Sequence, residues 1–480
     1  MKTKNNTRRT FRALEAFKTV LLTGLLVSLV LLVIVYIGGM RVYENAVSDG
    51  DLGESFDRLW SVLGGAEPEG LDASRLQPEL IGYKQSSSLT PLAVTADKAG
   101  IAELYELATP CILELFGSDS VCTRLTADEG RHRFAAAQAS EEFVYLRYHT
   151  PVLYQFIYAY AAGELTVSES DVAVGTNGSV GAYVSELIIV PDKDFAAHRF
   201  VALATDSDGG YFEFRPSDHI VTSSFYISKL ADSGSDIDTV PFTFAEHPRF
   251  DSSEPIIDGE LEYTEILTEA VPLGDDTIRE GLLRLFEYNP DKLNGYTDGD
   301  GYVYVDSHSQ LRLEGGMVSF LTTDQTSTNN TLRGIRIDSL LGYTSSDTSG
   351  LFDKLTAVDN LIRSLGEISP LLIGGEASLC LGDVYSDGAL LIIEYFLTYN
   401  GIRIEGDPYL RTVLTEETVC EVTLHPYSVR SKDISVLSPS PRYILRGLET
   451  LGELPEGTAI DSVRMRYGSD GAAWCVILSK

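Results

Sequence analysis

The chain has 480 residues, 44% apolar, 10% aromatic and 22% charged, and its 37 basic residues face 70 acidic ones for a net charge of −33. A polyanion of this kind repels phosphate backbones and excludes nucleic acid as a partner class, while the apolar content supports large cores and two or three domains. Five cysteines (Cys111, Cys122, Cys380, Cys420, Cys475) are odd in number, sparse, and without C-x-x-C spacing. They read as small buried apolar residues, with a Cys111–Cys122 bridge as the alternative and no zinc site.

Residues 1–18 form a basic tail, with Lys2, Lys4, Arg8, Arg9, Arg12 and Lys18 against Glu15 alone. Residues 19–40 (TVLLTGLLVSLVLLVIVYIGGM) carry no charge. As a helix this run spans roughly 33 Å, enough for the hydrocarbon core of a bilayer. Positive flanks stay in the cytoplasm, so the expected address is the cell membrane: one pass, N-terminus cytoplasmic, the rest extracellular. The exterior part then holds 31 basic and 69 acidic residues, a net of −38. A cleaved signal peptide is the competing reading, but Gly38-Gly39-Met40 and Glu44-Asn45-Ala46 each break the small-x-small cleavage rule. Within the span, Thr23, Gly24 and Ser28 are small enough for close packing against another membrane helix; the alternative is that the helix only anchors.

Residues 41–80 read as a polar stalk with a short amphipathic piece at 56–63, ended by Gly64-Gly65. A first α+β domain follows at 81–270. Ile101, Leu104, Tyr105 and Ala108 fall at helical spacing and predict a helix ending before Pro110. Residues 143–148 and the aromatic run 154–160, either side of Thr150-Pro151, read as strands. Residues 200–204 and 211–214 flank the turn residues 206–210 and predict a hairpin. A middle α+β domain, 271–350, opens with a helix capped near Asp276 and carrying Ile278, Leu282, Leu285 and Phe286 on one face. Short strands at 302–305, 311–313 and 317–320 then predict a meander, followed by a Thr/Asn-rich loop at 321–334. The C-terminal α+β domain, 351–480, begins with a helix bearing Leu355, Val358, Leu361, Ile362 and Leu365, stopped by Gly366. Strands follow at 389–397, 401–404 and 419–424. A last helix takes Ser440 as cap and Pro441 as first residue, with Ile444, Leu445, Leu448 and Leu451 inward. Val463, Met465 and Tyr467 alternate before a final strand at 474–478. The fold class is α+β: antiparallel sheets with packed helices behind a single membrane span.

Signatures of catalysis are missing. The chain has no Gly-x-Ser-x-Gly elbow, no Ser-x-x-Lys pair, no His-Glu-x-x-His, no Walker loop and no Gly-x-Gly-x-x-Gly turn. No catalytic residue, cofactor or metal ligand is assigned. Asp206-Ser207-Asp208 and Asp298-Gly299-Asp300-Gly301 invite a calcium reading, but neither completes a calcium loop, and Asp-Gly supplies the positive φ that tight hairpins need.

Several of these features occur together in one known family. A helix ending Leu285-Phe286 leads into Tyr296-Thr297-Asp298-Gly299 and short strands. A strand bearing Tyr395 or Tyr399 turns through Asn400-Gly401 into Ile402-Arg403-Ile404, and the chain closes on a strand with Ala473-Trp474. In this order behind a single anchor, with 143–160 around Thr150-Pro151, the chain resembles the YycH family and its shorter relative YycI, exported single-span regulators of the cell-wall sensor kinase WalK in Gram-positive bacteria. It departs from the family pattern in its acidity and its Thr/Asn loop. The resemblance implies regulation without catalysis: a sensor histidine kinase, or another membrane protein, is the expected partner, contacted by the ectodomain and the membrane helix. The alternatives are an extracellular binding module for a wall-derived ligand or metal, and a scaffold in wall assembly.

Overall fold

The computed structural model describes residues 71–118, 120–163, 174–176, 182–191, 200–206, 209–216, 237–244, 255–288, 294–299, 301–306, 308–322, 334–341, 350–454, 459–469 and 471–478. The expected basic tail and span, with Thr23, Gly24 and Ser28, lie outside them, as does most of the expected stalk. No helix among the described residues is long and apolar enough to cross a membrane.

The first sheet opens with the hairpin of β1 (Leu80–Lys84) and β2 (Leu92–Thr95). Helix α1 (Lys98–Phe116) follows, with the Asp97 carboxylate accepting from the Ala99 N–H at its start. It does not stop at Pro110. Proline removes one backbone donor and crowds the preceding turn, but Cys111, Ile112, Leu115 and Phe116 are buried beyond it and hold the helix on course. Next come β3 (Ser120–Leu125), α2 (Ala127–Gln138) and β4 (Phe143–Leu153), which continues through Thr150-Pro151 with its register against the later strand at Tyr183–Pro191 interrupted there. The aromatic run expected as a strand is instead helix α3 (Tyr154–Ala162). Burial of Tyr154, Ile157 and Tyr160 on one helical face, with Gly163 closing the end at φ +61°, decides it.

Six strands complete this sheet: β5 (Val174–Thr176), β6 (Tyr183–Pro191), β7 (Phe200–Thr205), β8 (Tyr211–Pro216), β9 (Val240–Phe244) and β10 (Pro255–Ile257). The order is β10-β9-β2-β1-β4-β6-β7-β8-β3-β5, antiparallel except for β3 and β5. The hairpin expected around 206–210 is β7–β8, closed by a hydrogen bond from the Gly210 N–H to the Asp206 carboxylate.

The second half begins with β11 (Leu261–Ala270) and α4 (Asp276–Leu285). Asp275, one residue before the expected cap, accepts from the N–H groups of Thr277 and Ile278. The meander is β12 (Asn294–Asp298), β13 (Gly301–Val305), β14 (Ser309–Glu314) and β15 (Met317–Thr322). Its inner face meets α4, where Phe286 stacks on Phe320 at 4.9 Å. After β16 (Ile335–Arg336) and α5 (Ile337–Leu341), α6 (Leu351–Ile368) passes through Gly366 rather than ending there. A Cβ on Gly366 would lie 2.9 Å from Ile373, so this glycine permits close approach instead of terminating the helix. The remaining elements are β17 (Ser378–Asp387), β18 (Leu390–Tyr399), β19 (Ile402–Ile404), β20 (Leu410–Leu414), β21 (Thr418–Leu424) and β22 (Tyr427–Ser438). Helix α7 (Pro441–Leu451), β23 (Ile460–Gly468) and β24 (Gly471–Leu478) close the chain. Ser440 caps α7 and Leu445 is buried, but Leu451 is exposed: six residues beyond Leu445 it has rotated off the inward face.

Strands β11 and β22 pair as a separate ribbon, and the other twelve of this half form one sheet. Its main path is β12-β13-β14-β15-β21-β20-β18-β19-β23-β24, with β17 on β18 and β16 on β21. Strands from both 271–350 and 351–480 are joined in it through the β15–β21 pairing. Mixed α+β architecture with antiparallel sheets is therefore observed, and one apolar cluster extends from Leu80 and Ile81 to Met465 and Tyr467.

Candidate functional site

Residues 71–80, read from sequence as the end of the stalk, are packed into the fold. Leu71, Leu76 and Leu80 are buried, because their apolar side chains fill the place where the two sheets meet. Between them, Asp72 caps a single 3-10 turn, Ala73–Arg75, accepting from the Ser74 N–H at 3.0 Å. The Asp72 N–H donates to Asp359 of α6 at 3.2 Å, and Arg75 forms an ion pair with the same buried carboxylate. Arg363, one turn along α6, adds a contact of 3.5 Å. Nearby, the hydroxyls of Tyr160 on α3 and Tyr395 on β18 lie 3.3 Å apart.

A second charged cluster is centred on Glu79, which is only 4% exposed. Its N–H donates to the Arg147 carbonyl at 2.7 Å, and its carbonyl accepts from Thr95 Oγ1 at 3.0 Å, which fixes it beside β4 and β2. Four groups surround its carboxylate: Arg147 Nε at 2.5 Å, Arg466 Nη1 at 3.1 Å, His149 Nδ1 at 3.2 Å and Arg464 Nη1 at 3.3 Å. Arg147 and His149 belong to β4 in the first sheet; Arg464 and Arg466 belong to β23 in the second. Arg464 Nη1 also donates to the carbonyls of Tyr148 and His149, at 2.9 and 3.1 Å. Glu79 is thus a keystone between the sheets.

The electrostatics follow from that geometry. Burial penalises the Glu79 carboxylate, but the guanidiniums of Arg464, Arg147 and Arg466 outweigh it and hold its pKa well below the ordinary value. Burial lowers His149 to about 4 despite its contact with Glu79, so the imidazole is neutral at physiological pH. Glu186, directly across β6 from Arg147, is pushed up by burial.

The residues singled out from sequence sit elsewhere. Tyr296, Thr297, Asp298 and Gly299 form the β12–β13 hairpin at the far end of the second sheet, seven strands from β19 along its path. Gly299 has φ +59° and Tyr296 is 52% exposed. The hairpin is not brought to the seam. The five cysteines are all free thiols, four buried and Cys475 half-buried, so Cys111 and Cys122 are not bridged. Among the described residues, no three His, Cys, Asp or Glu side chains are grouped to hold a metal ion.

The seam residues themselves were missed from sequence. Arg464 and Arg466 alternate with the buried Val463, Met465 and Tyr467, the pattern of a solvated outer face. The one available signal was Arg147, a lone charge inside the β-forming run 143–148.

No protein-family model matches the sequence, and no curated protein matches it. Among solved structures, the crystal structure of YycH from Bacillus subtilis matches 85% of this chain and 96% of its own, with a TM-score of 0.49 and 10% identity. The chain is similar to YycH.

Proposed function

We propose that this chain is a membrane-anchored extracytoplasmic regulator that biases a cell-envelope sensor histidine kinase by protein contact, without catalysis or cofactor. One observation supports it above the rest: within the end of the expected stalk, Arg75 and Glu79 are ion-paired to α6, to β23 of the second sheet and to β4 of the first. A tether entering at an exposed loop would only localise the domain. One that enters at the keystone couples the position of the anchor to the junction of the two sheets. The domain then favours one kinase conformation by the difference in its affinity for the two. The helix at 19–40 contributes contacts through Thr23, Gly24 and Ser28.

The test is a crosslinked pull-down of the full-length tagged protein from native membranes, read by mass spectrometry. A histidine kinase is expected, lost when residues 19–40 or the ectodomain are exchanged for unrelated sequence. Recovery of wall-assembly proteins alone would replace this reading by the scaffold.

A further inference from the structure

Arg403 is the one arginine of the seam whose guanidinium has no hydrogen bond or ion pair among the described residues. It lies on β19, where its Cα partners on either side are Thr398 of β18 and Arg466 of β23. Its guanidinium carbon sits 4.2 Å above the ring of Phe396, which is buried and also touches His149 edge-on. A cation over an aromatic face is held in place while its N–H edges stay free to donate. Arg464 lies two residues from Arg466 on the same face of β23, diagonal to Arg403. Its Nε and Nη1 are spent on Ser462, Tyr148, His149 and Glu79, and its Nη2 has no partner among the described residues.

Charge does not settle the arrangement from within. Arg466 faces Arg403 across the strands, and like charges so placed repel. Glu79 is shared among Arg147, His149, Arg464 and Arg466. Asp383, Glu79 and Glu405 are close enough to act on Arg403 electrostatically, but none bonds to it, and Glu405 Oε1 accepts from the Cys475 thiol at 3.6 Å. Burial, the largest effect, and the neighbouring Arg464 lower the pKa of Arg403, while Asp383, Glu79 and Glu405 raise it.

We propose that Arg403 and Arg464 form a seat for a phosphate-type oxyanion at the junction of the sheets. The free edge of Arg403 and Nη2 of Arg464, on neighbouring strands, can donate to different oxygens of a tetrahedral anion, whereas a carboxylate is filled by a single fork. The acidic exterior repels anions at a distance, so the seat selects by close contact. It does not depend on the kinase reading.

The test uses the full-length protein in a phosphate-free, uncharged detergent, titrated with inorganic phosphate at constant ionic strength and with chloride as control. A fork from Arg403 and a charge-assisted bond from Nη2 of Arg464 predict a saturable rise in Tm with a Kd on the order of 1 mM. Arg403→Gln is expected to weaken this at least about tenfold, read as the phosphate-dependent rise above each protein's own Tm in chloride. A second readout needs no substitution. Cys475 is the cross-strand partner of Arg464 and the only half-buried thiol, so bound phosphate is expected to slow its alkylation while urea-exposed thiols react as before. Competition by soluble glycerol phosphate marks a free phosphate ester as the source, and competition by phosphatidylglycerol in mixed micelles marks a lipid headgroup. No saturable shift in the wild-type protein, or an equal shift in Arg403→Gln, would overturn the proposal.

Discussion

Glu79→Gln is the sharpest perturbation of the keystone. The substitution preserves shape and the backbone bonds to Arg147 and Thr95, and removes only the charge that Arg147, Arg464 and Arg466 share. Breaking a buried ion cluster by deleting one partner costs roughly 3–5 kcal/mol, because the remaining charges stay buried without compensation. The compact unit runs from Gly70 to Lys480. At an unfolding entropy of about 2.1 cal/mol/K per residue, that loss lowers Tm by roughly 5 °C if the unit melts as one. The assay is thermal unfolding of the purified full-length protein followed by circular dichroism, paired with hydrogen exchange on the native state. Exchange should rise in β1, β4 and β23 together and leave the distant β12–β13 hairpin unchanged. A Tm within 1 °C of wild type, or faster exchange confined to one sheet, would refute the keystone argument.

Three further outcomes are expected. His149 is neutral when folded and takes a proton only near pH 4, against 6.5 in the unfolded chain, so the unfolded state binds more protons between these values and stability falls as pH drops through that window. Urea unfolding at pH 7 and pH 5 should show wild type losing about 2 kcal/mol more than His149→Gln; Glu79, whose folded pKa is depressed, adds its own loss only below its ordinary value of 4.5. Gly130→Ala on α2 puts a methyl 2.2 Å from Cβ of the buried Tyr211 and should destabilise by about 1–3 kcal/mol in urea melts, more than any gain in helix propensity. Gly24→Leu with Ser28→Leu should leave membrane insertion intact and reduce kinase output in a reporter strain, and unchanged output would remove the helix contact from the proposed mechanism.

The parts of the fold that were legible in sequence are those that local chemistry determines. The meander at β13–β15 and the β7–β8 hairpin show in period-two patterning and turn residues, and Ser440 shows as a cap, while the cap of α4 falls at Asp275, one residue before the expected Asp276. Elements decided by tertiary packing were misread. Pro110 and Gly366 usually end helices, yet both lie inside one: buried residues continue beyond Pro110, and Gly366 admits the close approach of Ile373. The seam was illegible for a related reason. Glu79 and Arg466 are 387 residues apart, and nothing near either announces the other. Arg464 and Arg466 occupy the polar positions of an alternating strand, and only the approach of β4 turns that outward face into an interior one.

That inversion explains why the seam matters more than its size suggests. Replacing a whole buried ion cluster with apolar side chains is often neutral or stabilising, so such a cluster is weak support for stability as its purpose. Its distinguishing property is specificity: a carboxylate ion-paired at once to Arg147 of β4 and to Arg464 and Arg466 of β23 favours one arrangement of those strands, where a greasy contact would tolerate many. Arg75 and Asp359 impose the same condition one turn earlier, on α6. Displacing Arg75 or Glu79 therefore disturbs contacts to β4, β23 and α6 together. For a domain whose proposed task is to report on an anchored partner, that linkage is the physical requirement, since coupling between two sites acts equally in both directions.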